Sequence, residues 1–240
     1  MAGRIINTWR DPYDLGFSTC WPKQITIQPG LTVLVGCNGS GKTTLINNIK
    51  SELSNNNIPY YLYNNLSDGG SHFLNEAMWN NDFSLAATSF CSSEGENITI
   101  NINHRFSKLK EFMIEGRIQN KSTRLADIFR NSPYEIPKTK ERWVLLDAVD
   151  SGYSIDNVID IKHIFAELIQ SFADNGYELF IVVAANEFEL AYNTPCMDVT
   201  NGKYISFETY DQFRKFIIES RKKKDKRYEK LLKKKNEEDR

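Results

Sequence analysis

A glycine-rich run near the start of the chain, Gly36–Thr44, has residue types and spacing that suit the binding of phosphate groups. It matches G-x-x-x-x-G-K-[ST], in which glycines let backbone N–H groups curl around phosphate oxygens without obstruction by side chains. In this pattern Lys42 reaches the β- and γ-phosphates of a nucleotide, and the Thr43 hydroxyl coordinates Mg²⁺. We call Gly36–Thr44 the P-loop, and its predicted ligand-binding residues are Gly36, Asn38, Gly39, Ser40, Gly41, Lys42, Thr43 and Thr44.

The residues on either side of the P-loop have the patterns of a strand and a helix. Leu31–Val35 is an apolar run that predicts a buried strand, and the apolar residues that follow the loop recur at helical spacing. A helix that begins at the loop directs its partial positive charge at the phosphate site. Both flanking elements argue against a chance glycine-rich turn. The apolar helical positions are Leu45, Ile46, Ile49 and Leu53.

A second candidate element is an apolar run that ends in an acid, Arg142–Asp147. In proteins with a P-loop, an aspartate at the end of such a strand helps to hold the Mg²⁺ ion. The sequence therefore predicts Lys42 and Asp147 as catalytic residues, with Thr43 and Asp147 at the metal.

Three stretches of the chain resemble motifs of the ABC-class ATPases. The P-loop has the N-G-S-G-K-[ST]-T-L form typical of that class, and Leu146–Asp156 resembles its Walker B motif and D-loop. Ser92–Glu96 resembles the signature motif L-S-x-G-[QE]. The chain is thus similar to the soluble SMC/RecF-like "AAA family ATP-binding" branch of the class over about residues 24–190.

This resemblance implies ATP and Mg²⁺ as ligands and an ATP-dependent homodimer. In such a dimer, Ser93, Gly95 and Glu96 of one subunit would complete the nucleotide site of the other. The interval between the P-loop and Asp147 is too short for the long heptad repeats of SMC proteins, which predicts a compact head domain without a coiled coil.

Two positions depart from the family pattern. Ala148 stands where the family has its catalytic glutamate, and Asn186 stands where the switch histidine is expected. Asn64 and Asn65 are the nearest candidates for the Q-loop. A slow ATPase is the main expectation, and a non-hydrolysing regulatory or scaffold module and a transporter subunit are the alternatives.

The order of the predicted elements indicates an α/β fold with a mainly parallel sheet flanked by helices. One predicted helix spans Asn157–Ala173, and a helical pattern at Tyr210, Phe213 and Ile217 leads into the end of the chain. The apolar stripe of the first of these helices consists of Val158, Ile161, Phe165, Leu168 and Phe172. The ATP-binding domain is expected over residues 1–220, with a small helical lobe at about 66–140. Within the lobe, Ile98–Met113 and Ser122–Arg130 read as helices, although Ile98–Ile102 also alternates like a strand. That second interpretation would make Gly95 part of an ordinary turn.

Composition limits the class of protein. The 240 residues are 40% hydrophobic and 25% charged, as in globular domains. No stretch approaches the ~18 apolar residues of a membrane span, and the first residues lack the apolar core of a signal peptide. Four scattered cysteines without a paired spacing favour reduced thiols and a cytoplasmic location.

The end of the chain is strongly basic. Arg221–Lys235 contains ten lysine or arginine residues and two acidic residues. Residues 221–240 are predicted to be a basic C-terminal helix or tail, which is either a solvated end, an arm for nucleic acid, or a contact for an anionic membrane. The expected function is an ATP-driven switch or slow ATPase that acts on nucleic acid, with a protein partner still to be identified.

Overall fold

The computed structural model describes residues 3–8, 22–64, 138–147 and 155–238, together with isolated positions between 84 and 100. These residues form strands and helices that alternate along much of the chain. In chain order they are β1 (Arg4–Asn7), β2 (Gln24–Ile27), β3 (Gly30–Val35), α1 (Lys42–Asn55), β4 (Tyr60–Asn64), β5 (Glu141–Asp147), α2 (Ile155–Asp174), β6 (Glu178–Ala184), α3 (Phe188–Ala191), β7 (Cys196–Asp198), β8 (Lys203–Ile205) and α4 (Tyr210–Glu238).

The central sheet has the strand order β4-β5-β6-β3-β7-β8. Neighbouring strands are parallel from β4 to β7, and only the edge strand β8 is antiparallel to its neighbour. The predicted α/β fold with a mainly parallel sheet is therefore confirmed. Because the strands run in the same direction, the carboxyl ends of β3, β4, β5 and β6 all lie at one edge of the sheet.

The core has two layers because successive side chains of a strand point to opposite faces. On β3, Val33 and Val35 belong to the cluster that contains α2, whereas Leu34 belongs to the cluster that contains α1. Strands β5 and β6 alternate in the same way, and Trp143 stacks on Phe180 with ring centroids 4.2 Å apart. Helices on both faces explain why these strands are almost continuously apolar.

The two long core helices use the apolar stripes that the sequence predicts. The four predicted positions of α1 are buried, and so are the main apolar positions of α2. α1 ends where Asn57 takes a left-handed conformation with φ 53°, and the Ile58 N–H then donates to the Leu53 carbonyl. The buried α2 residues are Val158, Ile161, Phe165 and Phe172.

The first two strands pair with each other rather than with the central sheet. β1 and β2 form a separate antiparallel pair, whose Ile6, Ile25 and Ile27 join the core cluster beside α1. Most of the predicted helical lobe lies outside the described residues. Ile100, one of the isolated described positions, is helical, and the rest of the predicted helix Ile98–Met113 is outside the described residues.

Among the residues that the structure describes, no helix combines the length and hydrophobicity needed to span a bilayer.

Candidate functional site

The P-loop connects the carboxyl end of β3 to the first turn of α1. Within it, the Ser40 N–H donates to the Cys37 carbonyl over 3.0 Å and forms a tight turn. Gly41 caps α1 in the left-handed region, with φ 102°, and its carbonyl accepts from the Leu45 N–H at 2.9 Å. Glycine adopts this conformation at little cost, whereas a side chain would be strained there.

The side chains of Lys42 and Ser40 both direct polar groups into the P-loop. Lys42 Nζ donates to the Gly36 carbonyl over 2.9 Å, so the ammonium group is folded back over the loop. Ser40 Oγ is buried and has no hydrogen-bond partner. A buried unpaired hydroxyl costs about 1–3 kcal/mol, which a ligand with hydrogen-bonding oxygens would recover.

The P-loop is also shaped so that side chains are excluded from its inner turn. A Cβ atom on Gly36 would lie 2.5 Å from Ser40 Oγ, which is closer than real Cβ contacts. Residue 36 must therefore be a glycine, because any side chain there would collide with that of Ser40. A cradle of this kind, with an unpaired hydroxyl and a nearby ammonium, fits the phosphate groups of a nucleotide.

Asp147 ends β5 at the same edge of the sheet as the P-loop, with β6 between β5 and β3. It is only 6% exposed. Asn64 is its partner in the parallel register of β4 and β5, and Asn64 Nδ2 donates to Asp147 Oδ2 at 3.5 Å. The Q-loop candidate Asn64 thus lies directly beside the candidate metal-binding carboxylate.

Asn186 follows the carboxyl end of β6 and shares a cavity of about 460 Å³ with the P-loop. One wall of this cavity belongs to the C-terminal helix α4. The lining includes Gly36, Cys37 and Asn38 from the P-loop, Asn186, and Ile217 and Arg221 from α4.

Two hydrogen bonds join α4 to the P-loop. The Cys37 N–H donates to Ser220 Oγ over 3.2 Å, and Lys224 Nζ donates to the Asn38 carbonyl over 2.8 Å. The sequence indicated a helix from Tyr210 but contained no signal for its place on the P-loop. Arg221–Lys235 is therefore part of one long helix whose early residues contact the loop.

The remaining predicted site residues differ in what can be described. Thr43 is exposed in the first turn of α1. The predicted signature residues Ser93, Gly95 and Glu96 and the catalytic-position residue Ala148 lie outside the described residues. Ser92, the first residue of the signature-like segment, is described, and its hydroxyl donates to the Thr88 carbonyl over 2.9 Å.

The P-loop joins a strand to a helix, and its lysine folds back over the loop. An acidic residue ends a nearby parallel strand at the same edge of the sheet. This arrangement defines a P-loop nucleoside triphosphate-binding protein. The family model described as "AAA domain" matches residues 17–240. The chain belongs to this AAA domain family, whose members generally bind ATP with Mg²⁺.

Other comparisons add little. A search of curated proteins finds no match. Among solved structures, the crystal structure of Stu0660 of Streptococcus thermophilus is 12% identical, and the match covers 87% of this chain and 77% of that one. Its TM-score of 0.37 is too low to support a conclusion about function.

Proposed function

We propose that this chain is an ABC-class ATP-binding switch that hydrolyses ATP slowly. The observation that carries the proposal is the P-loop itself, in which the Lys42 ammonium rests on the Gly36 carbonyl beside a buried unpaired hydroxyl. Membership of the AAA domain family supports ATP as the nucleotide.

In the proposed mechanism, Lys42 exchanges the Gly36 carbonyl for phosphate oxygens. The exchange is favourable because the Lys42 ammonium is attracted more strongly by charged phosphate oxygens than by a neutral carbonyl. Thr43 and Asp147 would hold Mg²⁺, which supplies positive charge against the phosphates. Asn64 would keep the Asp147 carboxylate oriented through the bond that joins them.

Calorimetry with Mg-ATP tests the site through Lys42→Ala, which we expect to abolish measurable binding. Loss of more than one charge-assisted hydrogen bond corresponds to a decrease of ~100-fold or more in affinity. Lys50→Ala is the matched control, because Lys50 lies on the same helix about 12 Å further along. Unchanged affinity in folded Lys42→Ala protein would refute the nucleotide site.

We further propose that ATP drives homodimerisation through Ser93, Gly95 and Glu96. The support is the likeness of Ser92–Glu96 to the signature motif. Gly95→Asp should prevent the close backbone approach that only glycine permits, and so block the ATP-dependent increase in mass. Light scattering with and without ATP measures it, and an equal increase in both proteins would contradict this assembly.

A third element of the proposal is binding of nucleic acid by the outer face of α4. Its support is the basic run, of which several lysines are exposed. Because Lys224 contacts the P-loop, deletion of the run would disturb both sites, so substitution is the cleaner test. Changing Lys226, Lys230 and Lys233 to Glu should weaken DNA or RNA binding and flatten its salt dependence.

The control for that experiment carries the same charge change elsewhere, at the exposed residues Lys23, Lys140 and Lys203. Fewer phosphate contacts release fewer counterions, so only the α4 variant should lose salt dependence. An identical salt slope in the two variants would mean that α4 is only a solvated helix.

A non-hydrolysing regulatory or scaffold module is the second candidate function. Ala148 and Asn186 favour it, because neither residue can act as the expected catalytic glutamate or switch histidine. Measurement of ATP turnover with and without nucleic acid separates the two. A transporter subunit is the weaker alternative, since it requires a membrane partner.

A further inference from the structure

Apolar packing positions helix α4 without the help of a ligand. Phe213 is 5% exposed and meets Phe207 edge to face, with ring centroids 5.2 Å apart. Phe216 and Ile217 also pack against the core cluster that contains Phe213. The stripe continues along the helix to the buried Ser220, so the next turn is directed at the P-loop.

Lys224 lies one turn beyond Ser220 and is the residue that this turn brings to the P-loop. It is half-buried, whereas Lys223 and Asp225 on either side of it are exposed. Its ammonium donates to the Asn38 carbonyl over 2.8 Å. The contact joins residues 186 positions apart in the sequence.

The ammonium also lies against the middle of the loop. A Cβ atom on Gly39, whose φ is +71°, would come within 2.6 Å of Lys224 Nζ. Lys224 therefore occupies space that exists because residue 39 has no side chain. Lys42 rests on the Gly36 carbonyl of the same loop over 2.9 Å, so two ammonium groups lie on one phosphate-binding turn.

We propose that Lys224 is a second phosphate-binding cation of the nucleotide site, which draws α4 onto the bound nucleotide. Like Lys42, it would exchange a neutral carbonyl for charged phosphate oxygens, which are the stronger acceptors. Nucleotide affinity and the docking of α4 are then thermodynamically linked, so that each stabilises the other. The assignment rests on the proposed ATP-binding function.

The first test measures Mg-ATP affinity by calorimetry in Lys224→Met and Lys215→Met. The two variants lose the same charge from the same helix, but Lys215 is exposed and lies outside the basic run. We expect Lys224→Met to weaken binding by about 10–100-fold, as for the loss of a hydrogen bond to a charged group. Lys215→Met should stay within about 2-fold of the unmodified protein, since exposed charges contribute little.

Lys224→Arg keeps the charge and should retain most of the affinity, while the melting temperature of each variant reports on folding. Wild-type affinity in Lys224→Met, with binding still abolished by Lys42→Ala, would overturn the role of Lys224 alone. Tighter binding in Lys224→Met would also overturn it, because the ammonium would then obstruct the loop. Unchanged affinity in Lys42→Ala would instead refute the proposed nucleotide site.

The second test measures how Mg-ATP changes hydrogen exchange of the α4 amides. If Lys224 had only a structural role, its substitution would not alter this ATP-dependent change. Mg-ATP should slow exchange of the α4 amides around Ser220 and Lys224 in the unmodified protein and in Lys215→Met. In Lys224→Met that protection should be lost. Equal ATP-dependent protection of α4 in Lys224→Met and Lys215→Met would contradict the linkage.

Discussion

In two of the regions that the structure describes, a lysine ammonium donates hydrogen bonds to backbone carbonyls. In the P-loop, Lys42 donates to the Gly36 carbonyl, and between α2 and α3, Lys162 donates to the carbonyls of Glu189 at 3.0 Å and Tyr192 at 2.7 Å. The P-loop lysine lies beside a buried hydroxyl that has no partner, that of Ser40. The same kind of hydrogen bond thus leaves the P-loop prepared for a ligand, whereas at Lys162 it joins two structural elements.

The surroundings of Lys162 show why it is a connection. Burial lowers the pKa of Lys162, while Cys196 and Glu189 partly oppose that effect. The ammonium also lies 5.8 Å from the centre of the Tyr192 ring. With two carbonyls and a ring around it, Lys162 holds the end of α3 against α2.

The strongest way to sharpen this comparison is to change the chemistry of the proposed ATPase without changing its stability. Ala148→Glu should accelerate ATP hydrolysis by on the order of 10²–10⁴-fold, because a carboxylate can accept a hydrogen bond from the attacking water. Single-turnover hydrolysis measures the rate. The free energy of unfolding should stay the same.

Three other residues bear on that experiment. Asn186 could still limit the rate, and Asp150 or Glu187 could serve as the base in place of Ala148. Ala148→Asp is the control, since an aspartate side chain is shorter than that of glutamate and reaches less far towards the attacking water. Fast hydrolysis by the unmodified protein, with no change in Ala148→Glu, would mean that the base lies elsewhere.

The converse change is at the α2–α3 junction, where Lys162→Met should lower the free energy of unfolding by about 1–3 kcal/mol. The partly exposed carbonyls of Glu189 and Tyr192 each lose the hydrogen bond from Lys162, whereas the P-loop is untouched. Urea unfolding gives the stability, and calorimetry should give an unchanged ATP affinity. A large loss of ATP affinity would show that the two regions are not independent.

The smallest expected effect is a pH dependence. Burial raises the pKa of the Cys196 thiol from the usual 9.0 to about 12. The unfolded chain therefore releases this proton first, so stability is complete below about pH 9 and falls as the pH rises towards 12. The loss is at most about 1.4 kcal/mol per pH unit.

Cys196→Ala isolates that contribution, because every other titrating group is shared with the unmodified protein. Between pH 8 and pH 10.5, the free energy of unfolding should decrease less in Cys196→Ala than in the unmodified protein. Parallel declines in the two proteins would assign the pH dependence to other groups.

The sequence predicted what depends on near neighbours in the chain. The P-loop is contained in nine consecutive positions between a strand and a helix, so its motif could be recognised locally. The apolar run to Asp147 predicted β5 with similar success. Apolar patterns also predicted the helices over Lys42–Asn55 and Ile155–Asp174.

What the sequence did not predict depends on how distant elements pack. The pairing of Asn64 with Asp147 follows from the register of β4 on β5, which no local pattern encodes. The place of α4 on the P-loop is a tertiary contact of the same kind. Even its buried face differs from the indicated pattern, since Tyr210 is 60% exposed while Phe213 is buried.

The contact between α4 and the P-loop has a consequence for synthesis of the protein. A chain is made from its N-terminus, and earlier parts fold first. The loop at residues 36–44 therefore emerges long before Lys224, and contacts of such large sequence separation form late. A chain that stops short of α4 would carry the glycine loop without the lysine that lies across it, so the loop reaches its final form only after Lys224 has been synthesised.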